Sequence, residues 1–293
     1  MSGFSPSAGS WEAPRGARGS RDGDDTAGRP AERRRGRDAR SAIEGRRSGS
    51  RPPVADRGLG AADGRVYPGL DRHPVVTTGY LFDLDETLVT YEPSTPGIFR
   101  TACERSGVEP TPAATEAIGP GFVETFVEFE ESPYVGAARA ARETGLNVDP
   151  EPFAETYVET ELEATHVPDG VPELLASLPS VGVVTNGYGP VQRRKLAAVG
   201  LREHVDAVVC ADDVEAFKPA DEPFDAVTDA VDAAEYVMVG DHVDYDIRPA
   251  ADRGYRTVFV GEKPAATGLA DHRVGDPSAL PTVSVFPQCA NGQ

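Results

Sequence analysis

The sequence predicts an α/β protein: a doubly wound, Rossmann-like parallel sheet of five strands, a helical unit inserted after the first strand, and a disordered N-terminal extension. Three observations lead there. Short apolar runs at 80–82, 181–184, 208–210 and 236–239 alternate with helical stretches, the pattern of a parallel sheet covered on both faces. Each run is followed by polar residues: Asp83 and Asp85, Thr185 and Asn186, Lys218, and Asp241 with Asp246. Between Tyr91 and Val167 the strand pattern gives way to helical spacing throughout.

In chain order, residues 1–74 hold 15 Arg, no Lys and 10 acids among Gly, Ser and Pro, with almost no periodic apolar positions. Such a segment cannot bury enough surface to offset its ordering entropy. Ten acids dilute the arginines, so a non-native or mis-assigned N-terminal extension is favoured over a basic arm for nucleic acid or a partner. The run at 80–82 is the first strand. In the insertion, Thr111-Pro112, Ser132-Pro133 and Asp149-Pro150 each set a capping side chain before proline, which starts a helix. Gly107 and Gly145 suit helix C-termini. Phe122, Phe126 and Phe129 share one helical face and read as the insertion's own core, with one ring reaching the crevice as the alternative.

After the insertion, 169–178 reads as a helix feeding the strand at 181–184, and 190–199 as a second helix stopped by Gly200. Asp221 is expected to cap a helix with Phe224, Val227 and Val231 on one face, and a last strand at 257–260 completes the five. A chain of 293 residues exceeds the ~100–200 of one domain. The expected division is therefore a core of 75–92 and 168–293 around an insertion of 93–167.

Residues 75–293 carry 14 basic and 38 acidic side chains, which argues against nucleic acid as a partner because phosphate backbones would be repelled from most faces. Only three lysines occur: Lys195, Lys218 and Lys263. Abundant acids with scarce lysine suit a protein working in concentrated salt, where charges are screened over ~3 Å at 1 M, so a halophilic source is expected. Cys103, Cys210 and Cys289 are scattered, as are the five histidines, so neither a disulfide framework nor a zinc site is indicated. No apolar stretch approaches the ~20 residues of a membrane helix, and the expectation is a soluble cytoplasmic protein with no membrane partner.

The polar residues at the strand ends have a common chemistry. Two neighbouring carboxylates, Asp83 and Asp85, can hold different protonation states, so one can attack while the other transfers a proton. Carboxylates form acyl-phosphate intermediates, and Asp83 is the candidate nucleophile. The same spacing at Asp22/Asp24 and Asp244/Asp246 shows that it is not specific in an acidic chain. Thr185 and Asn186 before a turn and a helix start make an anion site. Lys218 supplies a compact cation for the nucleophile and for phosphoryl oxygens. Asp241 is a hard oxygen donor of the kind Mg²⁺ prefers; imidazole is not, so His242 is expected to pack.

In this order and with these neighbours the set resembles the haloacid dehalogenase-like hydrolase superfamily over roughly residues 78–260: Asp83, Asp85 and Thr87; Thr185-Asn186-Gly187; Lys218-Pro219; and Gly240-Asp241 through Asp246. The resemblance implies Asp83 as nucleophile, Asp85 as acid and then base, and Mg²⁺ held by Asp83, the Asp85 backbone carbonyl and Asp241. Asp246 is placed behind these ligands, with Asp244 a competitor for that role. It implies that the insertion is a helical cap over the site. Asp85 separates phosphatases from dehalogenases, which lack an aspartate there.

The implied activity is hydrolysis of a small phosphorylated metabolite, with phosphoglycolate, sugar phosphates and nucleotides all open. A phosphomutase shares every core motif and stands as the alternative. A receiver domain is opposed by the order of the acids, and a catalytically silent phosphate-binding protein by the intact set. Glu86 stands where many members have glycine, and the loop Thr90-Tyr91-Glu92 is expected to touch substrate.

Overall fold

The computed structural model describes residues 77–287. The N-terminal segment 1–74 and Cys289 lie outside them.

Six strands form one wholly parallel sheet: β1 (Thr78–Phe82), β4 (Val181–Thr185), β5 (Ala207–Cys210), β6 (Glu235–Gly240), β7 (Arg256–Val260) and β8 (His272–Val274). They run in the order β5-β4-β1-β6-β7-β8. The expected count of five misses β8, a three-residue edge strand in which only Val274 is buried and no apolar run announces it. Pairing of β1 with β4 on one side and β6 on the other makes β1 the point where the winding reverses, and α/β sheets bind ligands at the carboxyl ends of strands at such a point.

Alternation along the strands sorts the two faces. Tyr80 and Phe82, Val181 and Val183, Val237 and Val239 point to one side, where they meet Leu174 and Leu175 of helix α5 (Val171–Ser177) and Leu196 of α6 (Gly189–Ala198). Leu81, Val184 and Met238 point to the other, against Phe224 and Val227 of α8 (Asp221–Ala230) and Ala250 of α9 (Arg248–Asp252). Both faces are thus sealed, at about 1.5–3 kcal/mol for each large side chain buried. In α8 the capping position is Ala220, and Asp221 is the first helical residue, where its charge meets the positive end of the helix. A short helix α7 (Ala211–Val214) follows β5.

The helical insertion is bounded by two short strands, β2 (Thr90–Tyr91) and β3 (Thr165–His166), paired antiparallel as the ribbon through which the chain enters and leaves. Between them run α1 (Thr95–Arg105), α2 (Pro112–Phe126), α3 (Pro133–Glu143) and α4 (Pro150–Ala164). Proline opens α2, α3 and α4 after Thr111, Ser132 and Asp149, and Thr111 Oγ1 accepts from the Ala114 amide at 3.1 Å. Gly107 and Gly145 take positive φ past the ends of α1 and α3.

Phe99, Phe122, Phe126, Tyr134, Phe153 and Tyr157 form the insertion's core. Phe126 and Phe129 also reach the α/β body, edge-on at 5.1 Å and stacked at 4.9 Å against Phe217, so the stripe packs both within the insertion and against the body. Phe129 lies beyond α2 with φ of 52°, which turns its ring toward Phe217. Among the described residues no helix is long and apolar enough to cross a membrane.

Candidate active site

The backbone beyond β1 stays in the ladder for one more residue, the Asp83 amide donating to Val239 O at 2.9 Å, and then turns about Leu84, whose carbonyl accepts from the amides of Leu88 and Val89. Glu86 takes φ of 59° in this turn, a left-handed conformation that glycine adopts without strain. That explains why glycine suits the position and what Glu86 gives up. The turn buries both acids: Asp83 is 6% exposed and Asp85 1%. Thr87 is fully buried below them, its hydroxyl without a hydrogen-bond partner among the described residues.

Lys218 reaches the site because Asn186 clamps its backbone. The Lys218 amide donates to Asn186 Oδ1 at 2.6 Å, and Asn186 Nδ2 donates to Lys218 O at 3.0 Å. All three protons of the buried ammonium are then spent: on Asp83 Oδ1 at 2.7 Å, Asp246 Oδ1 at 2.6 Å and Val184 O at 2.8 Å. Thr185 Oγ1 accepts from the Gly187 amide and from Gln192 Nε2, each at 3.1 Å, which leaves its own proton to donate. Asn186 therefore meets Lys218, while Thr185 is tied to Gly187 and Gln192.

Asp241, at the end of β6, completes the set. Carboxylate oxygens of Asp83, Asp241 and Asp246 lie within 4.8 Å of one another. The structure separates Asp246 from its competitor. Asp246 is 1% exposed, with Oδ2 taken by the His242 amide at 3.0 Å, whereas Asp244 is exposed and paired with Arg248. Gly240 makes the approach possible: a Cβ there would lie 2.5 Å from Asp246 Cβ and Cγ. His242 stacks on Tyr245 at 4.1 Å and packs, as its chemistry suggested.

Burial raises the pKa of Asp83 to about 7, with the Lys218 charge opposing and Asp246 and Asp85 adding to the rise. Asp241 is pushed well above the ordinary range, first by burial and then by Asp83 and Asp246. Asp85 goes the other way. Burial works to raise it, but the Lys195 charge and hydrogen bonds from Tyr91, Lys195 and Gln192 outweigh that and hold it below its usual value. Each acid has a lysine that lowers it; the two diverge because Asp83 also faces other acids, whereas Asp85 also accepts from Tyr91 and Gln192.

The wiring of Asp85 was not legible beforehand. Its Oδ1 accepts from Lys195 Nζ at 2.9 Å and from the Tyr91 hydroxyl, and its Oδ2 from Gln192 Nε2 at 2.6 Å. Tyr91, in the loop expected to touch substrate, gives its hydroxyl proton to Asp85. Lys195 carried a signal that went unused: it is one of three lysines, three positions after Gln192 and hence on the same helical face. The third, Lys263, is exposed and donates to Asp241 O at 3.4 Å, so every lysine in the chain stands beside this site.

The donors fit a divalent cation. They are hard carboxylate oxygens, two of them bonded to one ammonium, and the crowding of the three acids, which raises Asp83 and Asp241 above their ordinary range, is what a divalent cation would relieve. The space between Asp83, Asn186, Lys218, Asp241 and Tyr245 is about 10 Å³, room for about one water.

A doubly wound sheet gathers an acid pair, a threonine and late acids at the ends of β1, β4 and β6, with a lysine brought to them from the loop beyond β5 and α7. The chain belongs to the haloacid dehalogenase-like hydrolase family, whose model matches residues 80–260. It is 28% identical over 228 residues to the ribulose-1,5-bisphosphate 5-phosphatase of Halopiger xanaduensis, covering 67% of this chain and 90% of that one. It is 27% identical over 146 residues to the pyrimidine 5'-nucleotidase YjjG of Escherichia coli, covering 48% of this chain and 61% of the relative's length. The fold matches that of the magnesium-bound HAD-hydrolase YfnB of Bacillus subtilis, with a TM-score of 0.53 at 19% identity over 69% of this chain and 95% of that one.

Proposed function

We propose that the protein is a Mg²⁺-dependent phosphomonoesterase that works through an aspartyl-phosphate on Asp83. The observation that carries this reading is the position of the Asp83 carboxylate, 2.7 Å from a fully engaged Lys218 ammonium and within reach of Asp241 and Asp246. Asp83 and Asp241, with the backbone carbonyl of Asp85, would hold Mg²⁺, which supplies charge neutralisation for the acids and the phosphoryl oxygens. Asp83 attacks phosphorus as the bond to the ester oxygen breaks; Asp85, ionised while Lys195, Tyr91 and Gln192 all donate to it, must give up one of those bonds and take up a proton as substrate binds, and passes that proton to the leaving oxygen. Water then cleaves the acyl-phosphate while Asp85, as a carboxylate, takes its proton. Thr185 donates its remaining proton to a phosphoryl oxygen, and Lys218 balances charge on the nucleophile. Asp246 holds Lys218, and both of its oxygens are occupied in doing so.

The four-helix insertion serves as a cap. Its Phe126 and Phe129 rest on Phe217, next to Lys218, so it covers the side from which an ester would come. The space among the acids is about 10 Å³, so a phosphoryl group either draws the acids back or sits at the mouth of this half-open space, which residues of the body line. The relatives are named for a sugar bisphosphate, nucleotides, pyrophosphate and phosphoserine, which supports a small phosphorylated substrate and leaves phosphoglycolate, sugar phosphates and nucleotides open here.

The test is a panel of phosphorylated metabolites with Mg²⁺, read as inorganic phosphate, alongside Asp83→Asn with p-nitrophenyl phosphate. Retained turnover in the variant would overturn the assignment of the nucleophile. Phosphate delivered to a second hydroxyl instead of water would replace the phosphatase with a phosphomutase.

A further inference from the structure

Asp85 sits at one end of a buried polar network that spans the ribbon between the body and the helical insertion. Lys195, on α6 of the body and 1% exposed, spends its three protons on Asp85 Oδ1 at 2.9 Å, the Tyr91 hydroxyl at 2.7 Å and Glu161 Oε1 at 2.6 Å. Tyr91 belongs to β2, the strand that enters the insertion. Glu161 belongs to the last turn of α4, four residues before β3, the strand that leaves it. The second oxygen of Glu161 accepts from the Tyr134 hydroxyl of α3 at 2.9 Å.

We propose that Lys195 is a positioning residue that ties the seating of the helical insertion, through Glu161, to the carboxylate of Asp85. The proposal rests on the acid–base role of Asp85 given above. One ammonium is bonded on both sides of the β2–β3 ribbon. Rotation of the insertion about that ribbon therefore either breaks the Lys195–Glu161 bond or draws Lys195 away from Asp85. Gln192, on the same face of α6, fixes the other Asp85 oxygen at 2.6 Å, so the carboxylate has no second resting place while the insertion is seated.

Stability alone gives no reason for such a network. A buried ion triad costs desolvation that its attraction barely offsets, and apolar groups of the same size commonly replace one without loss. Its location explains it: the cation touches the group whose angle to the ester oxygen sets the rate of proton transfer, and the carboxylate that steadies the cation comes from the element that closes over the site.

The experiment compares kcat/KM of the full-length, Mg²⁺-loaded protein on two esters. The phenolate of p-nitrophenyl phosphate departs without a proton, whereas the oxygen of an alkyl phosphate needs one. Lys195→Gln and Glu161→Gln are expected to lose at least about tenfold more on the alkyl ester than on p-nitrophenyl phosphate, with Asp85→Asn setting the upper limit of that ratio. Equal losses on both esters, or no loss, overturn the proposal, because a purely structural role would move both alike. If Lys195→Gln does not fold, Glu161→Gln decides by the same ratio, since it keeps the Lys195–Asp85 bond and a neutral acceptor. A wild type inactive on both esters refutes the phosphatase reading itself, and an active Asp83→Asn refutes Asp83 as the nucleophile. An active wild type that depends on Asp83 but shows unchanged ratios in the variants refutes only the role of Lys195.

Discussion

Gly240→Ala tests whether the late acids are held where the geometry puts them. The new methyl would lie 2.5 Å from Asp246 Cβ and Cγ, whereas non-bonded carbons rest about 3.5–4.0 Å apart, so Asp246 must retreat by about an ångström. It is 1% exposed and pinned at both oxygens, by Lys218 at 2.6 Å and the His242 amide at 3.0 Å. Retreat therefore breaks a charge-assisted hydrogen bond worth about 1.5–3 kcal/mol and adds an overpacking cost of about 1–3 kcal/mol. A loss of about 3–6 kcal/mol follows in urea unfolding. Because Lys218 also holds Asp83, a shift of this size is expected to lower kcat on p-nitrophenyl phosphate about 100-fold. Gly275→Ala is the control, since its Cβ would meet Glu262 no closer than 3.6 Å, an ordinary contact. If Gly240→Ala stayed within about 0.5 kcal/mol of wild type, the spread of an unremarkable surface change, and kept its kcat, the pinning of Asp246 would be refuted.

Asp83→Asn should abolish turnover while leaving circular dichroism and the melting transition in place, because the amide keeps the shape and removes one of three crowded negative charges. Lys218→Met should cost about 3–5 kcal/mol in urea unfolding, since it strands Asp83 and Asp246 as buried carboxylates; a loss under about 1 kcal/mol would show that the acids do not depend on it. In EDTA-treated protein the folded state binds the Asp83 proton more tightly than the unfolded chain does, its pKa being about 7 against 3.8. That contribution to stability is complete below about pH 3.8 and is lost as pH rises through 7, so wild type should lose stability relative to Asp83→Asn between pH 5 and 8. A gain over that interval would contradict it. Melting in a potassium chloride series should show rising stability with salt, and a maximum in dilute buffer would rule out adaptation to high salt.

Much of the fold was legible because burial on both faces of a parallel sheet demands apolar runs, and those runs located β1, β4, β5, β6 and β7 within a residue or so. Edge strand β8 and the two-residue strands of the ribbon were not, since short or half-exposed strands need no apolar run. At the site, Asp83, Lys218, Asp241 and Asp246 gather as their places at successive strand ends suggested. The choice of Asp246 over Asp244 was open in the sequence and was settled by a half-turn of backbone that buries one acid and exposes the other.

From the order of residues alone came the chemistry and its family, because strand ends in a doubly wound sheet converge whatever lies between them. Which proton goes where belongs to the tertiary structure. Asp83 and Asp85 are chemically identical and two residues apart, yet one faces Lys218 and two further acids while the other faces Lys195, Tyr91 and Gln192. Lys195 lies 110 residues from the acid it holds. The difference between the two carboxyls arises only when burial strips water from both and leaves each to the neighbours that folding has brought.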